Sequence, residues 1–302
     1  MSLSSAPHPP PFGRALCAMV TPFTADGALD TDGAQRLAAR LVADGCDGLV
    51  LSGTTGESPT TSDDEKATLV RVVKEAVGER VPVVAGVGTA DTRHTMKLAA
   101  DAEQAGADGL LVVSPYYSRP PQDALEAHFR EIADASGLPL MLYDIPGRTG
   151  TRIEPATLIR LASHPRITAV KDCAYDMLGT QKVLGATDLA FYAGCEEYAL
   201  PLYAVGGAGY VSTVANVAPS ALRAVLSSFD AGDTGEAARR QQLAAPLLEL
   251  MMASDLPGTV TAKAILNALA LPAGPVRAPL RPASPETTAT LLTAFEALTA
   301  TS

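Results

Sequence analysis

Eight short apolar runs punctuate the chain: ALCAMVTPF (15–23), GLVLSG (48–53), VPVVAGV (81–87), GLLVVSPYY (109–117), PLMLYDIP (139–146), ITAVKD (167–172), LAFYAGC (189–195) and AGYVSTV (208–214). Their near-continuous apolar character suits strands covered on both faces, as in a parallel sheet. Helical periodicity fills the gaps. Residues 30–45 place Leu37, Leu41 and Val42 on one face, with Asp30 or Asp32 as a candidate N-cap. Residues 62–78 open on Ser62 and Glu65, the spacing of a capping box, and carry Leu69, Val72, Val73 and Val77 together. Residues 123–136 place Leu125, Phe129 and Ile132 at helical spacing.

Strand followed by helix, repeated eight times, predicts an α/β protein built as a (β/α)8 TIM barrel. A doubly wound open sheet is the rival, and the regular repeat favours the barrel. That pattern is spent by residue 230, so a catalytic barrel is expected over 12–230. A C-terminal helical region is expected over 231–302, with helices near 234–254, 259–270 and 284–300. The Pro- and Ser-rich start predicts a disordered arm over 1–11, with neither a basic n-region nor an apolar h-region.

Composition narrows the class of partner. The net charge of −10 argues against nucleic acid and anionic membrane surfaces. No apolar segment reaches the ~18 residues that span a bilayer. Cys17, Cys46, Cys173 and Cys195 form no CxxC pair, and the scattered histidines form no HExxH. Reduced thiols in a cytoplasmic protein are expected, without a His/Cys metal centre.

In a (β/α)8 barrel the chemistry gathers at the C-terminal ends of the strands. There the chain offers GTTGES (53–58), SPYYSRP (114–120), YDIPGRTG (143–150), Lys171, AGCEE (193–197) and GYVSTVAN (209–216). Lys171 closes an apolar, β-branched run, and of the six lysines it alone ends a barrel strand; Lys66, Lys74, Lys97 and Lys263 fall in helical patterns with polar neighbours, and Lys182 follows the sixth strand in a similar setting. Burial disfavours an ammonium, and a neutral amine attacks carbonyls. Alone, Lys171 reads as a snorkelling strand-end lysine, Tyr143 as a core tyrosine, Arg148 as a loop arginine, and GTTGES as an ordinary turn. Converging on one barrel mouth, they supply a carbonyl-trapping amine, a proton-transfer hydroxyl and two carboxylate sites, Arg148 and the Thr54–Thr55 pair.

GTTGES, SPYYSRPPQ, YDIPGRTG, the VKD lysine and VANVAP, in this order, make the chain resemble the pyruvate-dependent class I aldolase family of dihydrodipicolinate synthase and N-acetylneuraminate lyase. The resemblance runs from Phe12 to the C-terminal helix. It implies that Lys171 forms a Schiff base with pyruvate, and that Tyr143 transfers protons. It implies further that Thr54 relays them toward Tyr117, which in this family reaches in from a neighbouring subunit. Thr54 and Thr55 would hold the pyruvate carboxylate, with Gly194 and the Val211 carbonyl lining the same pocket. No metal or organic cofactor is implied beyond that covalent adduct, and a homotetramer built as a dimer of dimers is expected.

Thr54, the paired tyrosines and Arg148 are similar to the synthase side of the family. They imply condensation of pyruvate with aspartate semialdehyde to 4-hydroxy-tetrahydrodipicolinate, on the route to lysine and diaminopimelate. The alternative keeps the Schiff base and takes N-acetylneuraminate or a 2-keto-3-deoxy sugar acid; GCEE (194–197), unlike the Gly-Asp-Asp or Gly-Asp-Glu usual in synthases, keeps it open. Asp144 also departs from the commoner Asn. A non-catalytic, small-molecule-binding regulator would be expected to lack Lys171 or Tyr143, and both are present. Where feedback-sensitive relatives bind lysine, this chain offers Asp63, Lys66, Ala90 and His94, and an amine facing an amine implies weak or absent lysine inhibition.

Overall fold

The computed structural model describes residues 10–252 and 255–300. Of the arm expected over 1–11, residues 1–9 lie outside the described residues. The first strand, β1 (Ala15–Ala18), leads into α1 (Thr31–Ala43), which begins where the Asp30 carboxylate accepts from Gly33 N–H. Next come β2 (Gly48–Leu51) and α2 (Asp63–Val77), the latter opened by a complete Ser62–Glu65 capping box. Each such cap contributes about 1 kcal/mol. The chain continues through β3 (Val83–Gly86), α3 (Thr92–Gln104), β4 (Gly109–Val113), α4 (Gln122–Ala135) and β5 (Leu140–Asp144).

After β5 a single turn of helix, α5 (Pro146–Thr149), precedes α6 (Pro155–Leu161). Then follow β6 (Ile167–Asp172), α7 (Met177–Leu184), β7 (Ala190–Ala193), α8 (Ala199–Ala204), β8 (Gly209–Ser212) and α9 (Pro219–Asp230). Three helices complete the chain: α10 (Thr234–Met251), α11 (Gly258–Ala268) and α12 (Pro285–Thr299). The strands form one closed, all-parallel barrel in sequence order, β1 pairing with both β2 and β8. The barrel is the expected fold, and closure removes the edges that the open-sheet rival would have left.

Alternation along each strand divides the core. Inward residues, among them Leu16, Val50, Val84, Leu111, Met141, Ala169 and Val211, fill the barrel, while Leu49, Val83, Leu142, Val170 and Phe191 pack outward against the helices. Phe12 joins the inner set, and the Tyr192 hydroxyl donates to Gly13 O at 2.9 Å, closing the N-terminal end. The filled interior leaves the C-terminal mouth as the place for a ligand.

Candidate active site

Period-two alternation puts Ala169 and Lys171 on the inner face of β6, with Cys173 continuing it just past the strand, the same face that Met141 and Tyr143 occupy on β5. Tyr143 pairs directly with Lys171 across the β5–β6 ladder. Both side chains are buried, Lys171 at 5% exposure. The Lys171 Nζ stands 4.5 Å from the centroid of the Tyr143 ring. That stacking keeps the amine's position without an acidic partner to bind it, since a ring face attracts a cation weakly. On the other side Lys171 pairs with Tyr192, which turns to the opposite end of the barrel.

Burial drives the Tyr143 pKa well above the usual tyrosine value, and a hydrogen bond with Thr54 partly opposes it. The phenol is therefore held protonated beside the amine, able to donate a proton and to take it back from Thr54. Thr54 is exposed to the mouth, whereas Thr55 is buried with its Oγ1 2.8 Å from Thr213 Oγ1. That pair uses one hydroxyl proton of the two.

A cavity of about 790 Å³ opens at this end, a volume ordinary for small-molecule sites. Thr54, Tyr116, Tyr117, Tyr143 and Arg148 line it. Lys171, over the Tyr143 ring, is not part of the lining. Arg148, carried by the one-turn α5 whose N-terminus is the Pro146 of YDIPG, is exposed to solvent, and among the described residues no carboxylate pairs with its guanidinium. Tyr117 is 96% exposed at a positive φ of 72°, at the rim of the cavity. Thus the structure brings Thr54, Tyr117, Tyr143 and Arg148 to one cavity, with Lys171 against Tyr143. Thr55 sits beneath, and Val211 is fully buried on β8 opposite Leu16.

Gly194 lies against the amine: a Cβ there would come 3.1 Å from both Cγ and Cε of Lys171 and closer still to Cys173 Sγ. The Cys173 thiol is hydrogen-bonded to Cys195, which raises the Cys173 pKa and lowers that of Cys195.

GCEE folds inward in part, and one reading of the sequence, that of Lys263, needs correction. Glu196 of GCEE does not face the cavity. It is buried, and its Oε1 accepts from Ser212 Oγ (2.7 Å), Thr213 N–H (2.7 Å) and Val214 N–H (3.0 Å). Its carboxylate secures the turn after β8. Lys263, expected among polar neighbours, is buried at 2% exposure, 2.7 Å from an equally buried Glu57. α11 is buried along Gly258–Lys263 and again at Ile265 and Leu266, so a lysine in it needs an internal anion.

Against this geometry stand the comparisons. A model of the dihydrodipicolinate synthetase family matches residues 11–298. The 4-hydroxy-tetrahydrodipicolinate synthase 1 of Streptomyces coelicolor is 77% identical, over 96% of this chain and 95% of its own length. The 4-hydroxy-tetrahydrodipicolinate synthase of Acidothermus cellulolyticus is 55% identical over 96% and 93%. The crystal structure of DHDPS from Cyanidioschyzon merolae with lysine bound superposes with a TM-score of 0.93 at 37% identity, covering 96% of this chain and 99% of that one.

Proposed function

The chain belongs to the dihydrodipicolinate synthetase family, and from that premise we propose how its barrel mouth condenses pyruvate with aspartate semialdehyde to 4-hydroxy-tetrahydrodipicolinate. The enzyme is a class I, pyruvate-dependent lyase. The observation that carries the residue assignment is the pairing of Tyr143 with Lys171 on adjacent strands, an inward amine against a protonated phenol.

In this reading the Lys171 amine adds to C2 of pyruvate, and the carbinolamine loses water to an iminium. Tyr143 supplies the proton that water needs to leave. The iminium draws electrons from the methyl group, which gives up a proton to leave an enamine. The enamine carbon then bonds to the aldehyde carbon, whose oxygen takes up a proton. The semialdehyde's own amine displaces Lys171 from the imine, closing the ring and restoring the enzyme. Thr54 passes protons between Tyr143 and Tyr117, the latter offered by a neighbouring subunit, and Thr54 and Thr55 hold the keto acid's carboxylate. Gly194 leaves space beside Lys171, the Val211 carbonyl lines the same end, and Arg148 binds the semialdehyde carboxylate through its planar fork.

The scheme needs no metal or organic cofactor, only the covalent adduct on Lys171. Tyr117's exposure supports an assembly of at least two chains, and we assign a homotetramer built as a dimer of dimers in the cytoplasm. Among the described residues no helix is long and apolar enough to cross a membrane.

The deciding experiment is borohydride reduction in the presence of pyruvate, followed by peptide mass spectrometry, alongside turnover with aspartate semialdehyde. A pyruvyl adduct on Lys171 that Lys171→Ala abolishes is the expected result. An adduct elsewhere, or none, overturns the assignment.

A further inference from the structure

Ser52 and Glu57, neither of them glycine, adopt positive φ of 51° and 56° and bracket the Gly53–Gly56 turn. Such backbone persists only where its surroundings hold it in place. Much of the holding comes from outside the barrel, from α11. Thr259 Oγ1 lies 3.3 Å from the carbonyl oxygen of Thr54 and 3.2 Å from that of Thr55. One helical turn further, on the same face, Lys263 Nζ lies 2.7 Å from Glu57 Oε1 and donates to Pro275 O at 2.8 Å. The other Glu57 oxygen accepts from the backbone N–H of Arg277 at 2.8 Å. From β1's side the Thr21 hydroxyl donates to Gly56 O at 2.6 Å. Carbonyls 54, 55 and 56 are thus each engaged by a threonine hydroxyl, two of them by the same one.

In a trans peptide the carbonyl and the following N–H point in opposite directions. Drawing the Thr54 and Thr55 carbonyls onto α11 therefore turns the N–H groups of Thr55 and Gly56 away from it. We infer that Thr259 and Lys263 of α11 are positioning residues for the keto-acid carboxylate, fixing the peptide planes of the Thr54–Thr55 turn through its carbonyls and through Glu57. The C-terminal helices are then part of the catalytic apparatus. The inference rests on the assignment of Thr54 and Thr55 to that carboxylate.

Thr259→Val removes one hydroxyl at nearly constant volume and spares the buried ion pair; Thr259→Ser restores the hydroxyl. The readouts are KM for pyruvate, KM for the semialdehyde, kcat, the extent of borohydride trapping at Lys171, and melting temperature. Thr259→Val is expected to raise the pyruvate KM about tenfold while the semialdehyde KM stays within about twofold, and Thr259→Ser to return it toward wild type. A second variant, Glu57→Gln with Lys263→Met, removes both buried charges together and is expected to raise the same KM. Unchanged pyruvate KM in both, or activity lost only in proportion to folded protein, overturns the inference. If wild-type enzyme forms no adduct, the catalytic reading itself fails and takes this one with it; a wild-type adduct beside an unshifted pyruvate KM in both variants sinks the positioning role alone.

Discussion

Gly194 touches Lys171 so closely that a single added carbon would stand 3.1 Å from two of the lysine's side-chain carbons. The nearest atom to that carbon would be Cys173 Sγ. Gly194→Ala therefore forces the lysine or the thiol to move, at a stability cost of about 1–3 kcal/mol. Turnover should fall at least about tenfold, because small displacements of a reacting group are expensive. Cys173→Ala in the same chain removes the nearest obstacle, so part of the lost kcat should return. Steady-state rates of the two single variants and the double variant decide it; strictly additive losses would contradict the steric account.

The two tyrosines are expected to separate by step. Tyr143→Phe keeps an aromatic face under the amine but removes the hydroxyl, so turnover should drop by ~10²–10⁴. Tyr117→Phe should lower turnover while the Lys171 adduct still forms, because the proposed relay, and not the attack, uses that hydroxyl. Trapping yields read beside kcat test both, and wild-type turnover in Tyr117→Phe would remove it from the relay.

Lysine should inhibit weakly. The cavity extends to Asp63, Lys66 and His94. Asp63 is already occupied, His94 Nε2 at 3.0 Å and Lys97 Nζ at 3.1 Å. Lys66, whose pKa is lowered by burial against the pull of Asp63 and Glu65, donates to Thr61 O at 2.5 Å. An incoming ammonium meets an amine and no free carboxylate there. Activity should remain above half at about 1 mM lysine, equivalent to binding weaker than about 4 kcal/mol. Half-inhibition at micromolar lysine would refute it.

The pH dependence of stability should be flat for an identifiable reason. Burial pushes the Asp144 carboxyl up to about 7 from 3.8, with nearby Asp172 adding to the effect. Between those values the folded chain holds a proton that the unfolded chain has lost, so stability falls as pH rises, by about 4 kcal/mol. Burial lowers His128 to about 4 from 6.5. There the unfolded chain takes a proton that the fold refuses, so stability rises with pH over nearly the same window, by about 3 kcal/mol. The two oppose each other. Asp144→Asn keeps the acceptor for Ile153 N–H and removes one side of the balance. Urea titrations at several pH values should then show stability rising from pH 4 to 6.5, and a variant more stable than wild type at pH 8. An unchanged profile would refute the assignment.

Helix starts were legible because capping is local: Asp30 and Ser62 sit within three residues of the N–H groups they satisfy. Strand ends were less so. ALCAMVTPF spans nine apolar-rich positions, yet only Ala15–Ala18 forms strand, since a run buried on both faces has no alternation to mark its limits. Lys171 and Tyr143 stood out as polar groups closing apolar runs. Lys263 did not, because its partner Glu57 lies far away in the sequence, and the groups that hold Glu196 come from the turn after β8.

The ladder that sets Tyr143 beside Lys171 fixes their separation by the spacing of neighbouring strands, about 4.8 Å, rather than by any loop. Arg148, assigned to the aldehyde, and Tyr117, assigned to the relay, sit instead on connecting segments, α5 and the stretch after β4. Mutation can therefore rewrite those segments over many generations while the amine and phenol stay where the sheet puts them. Descent with a changed aldehyde and an unchanged keto acid is the drift this architecture makes easy.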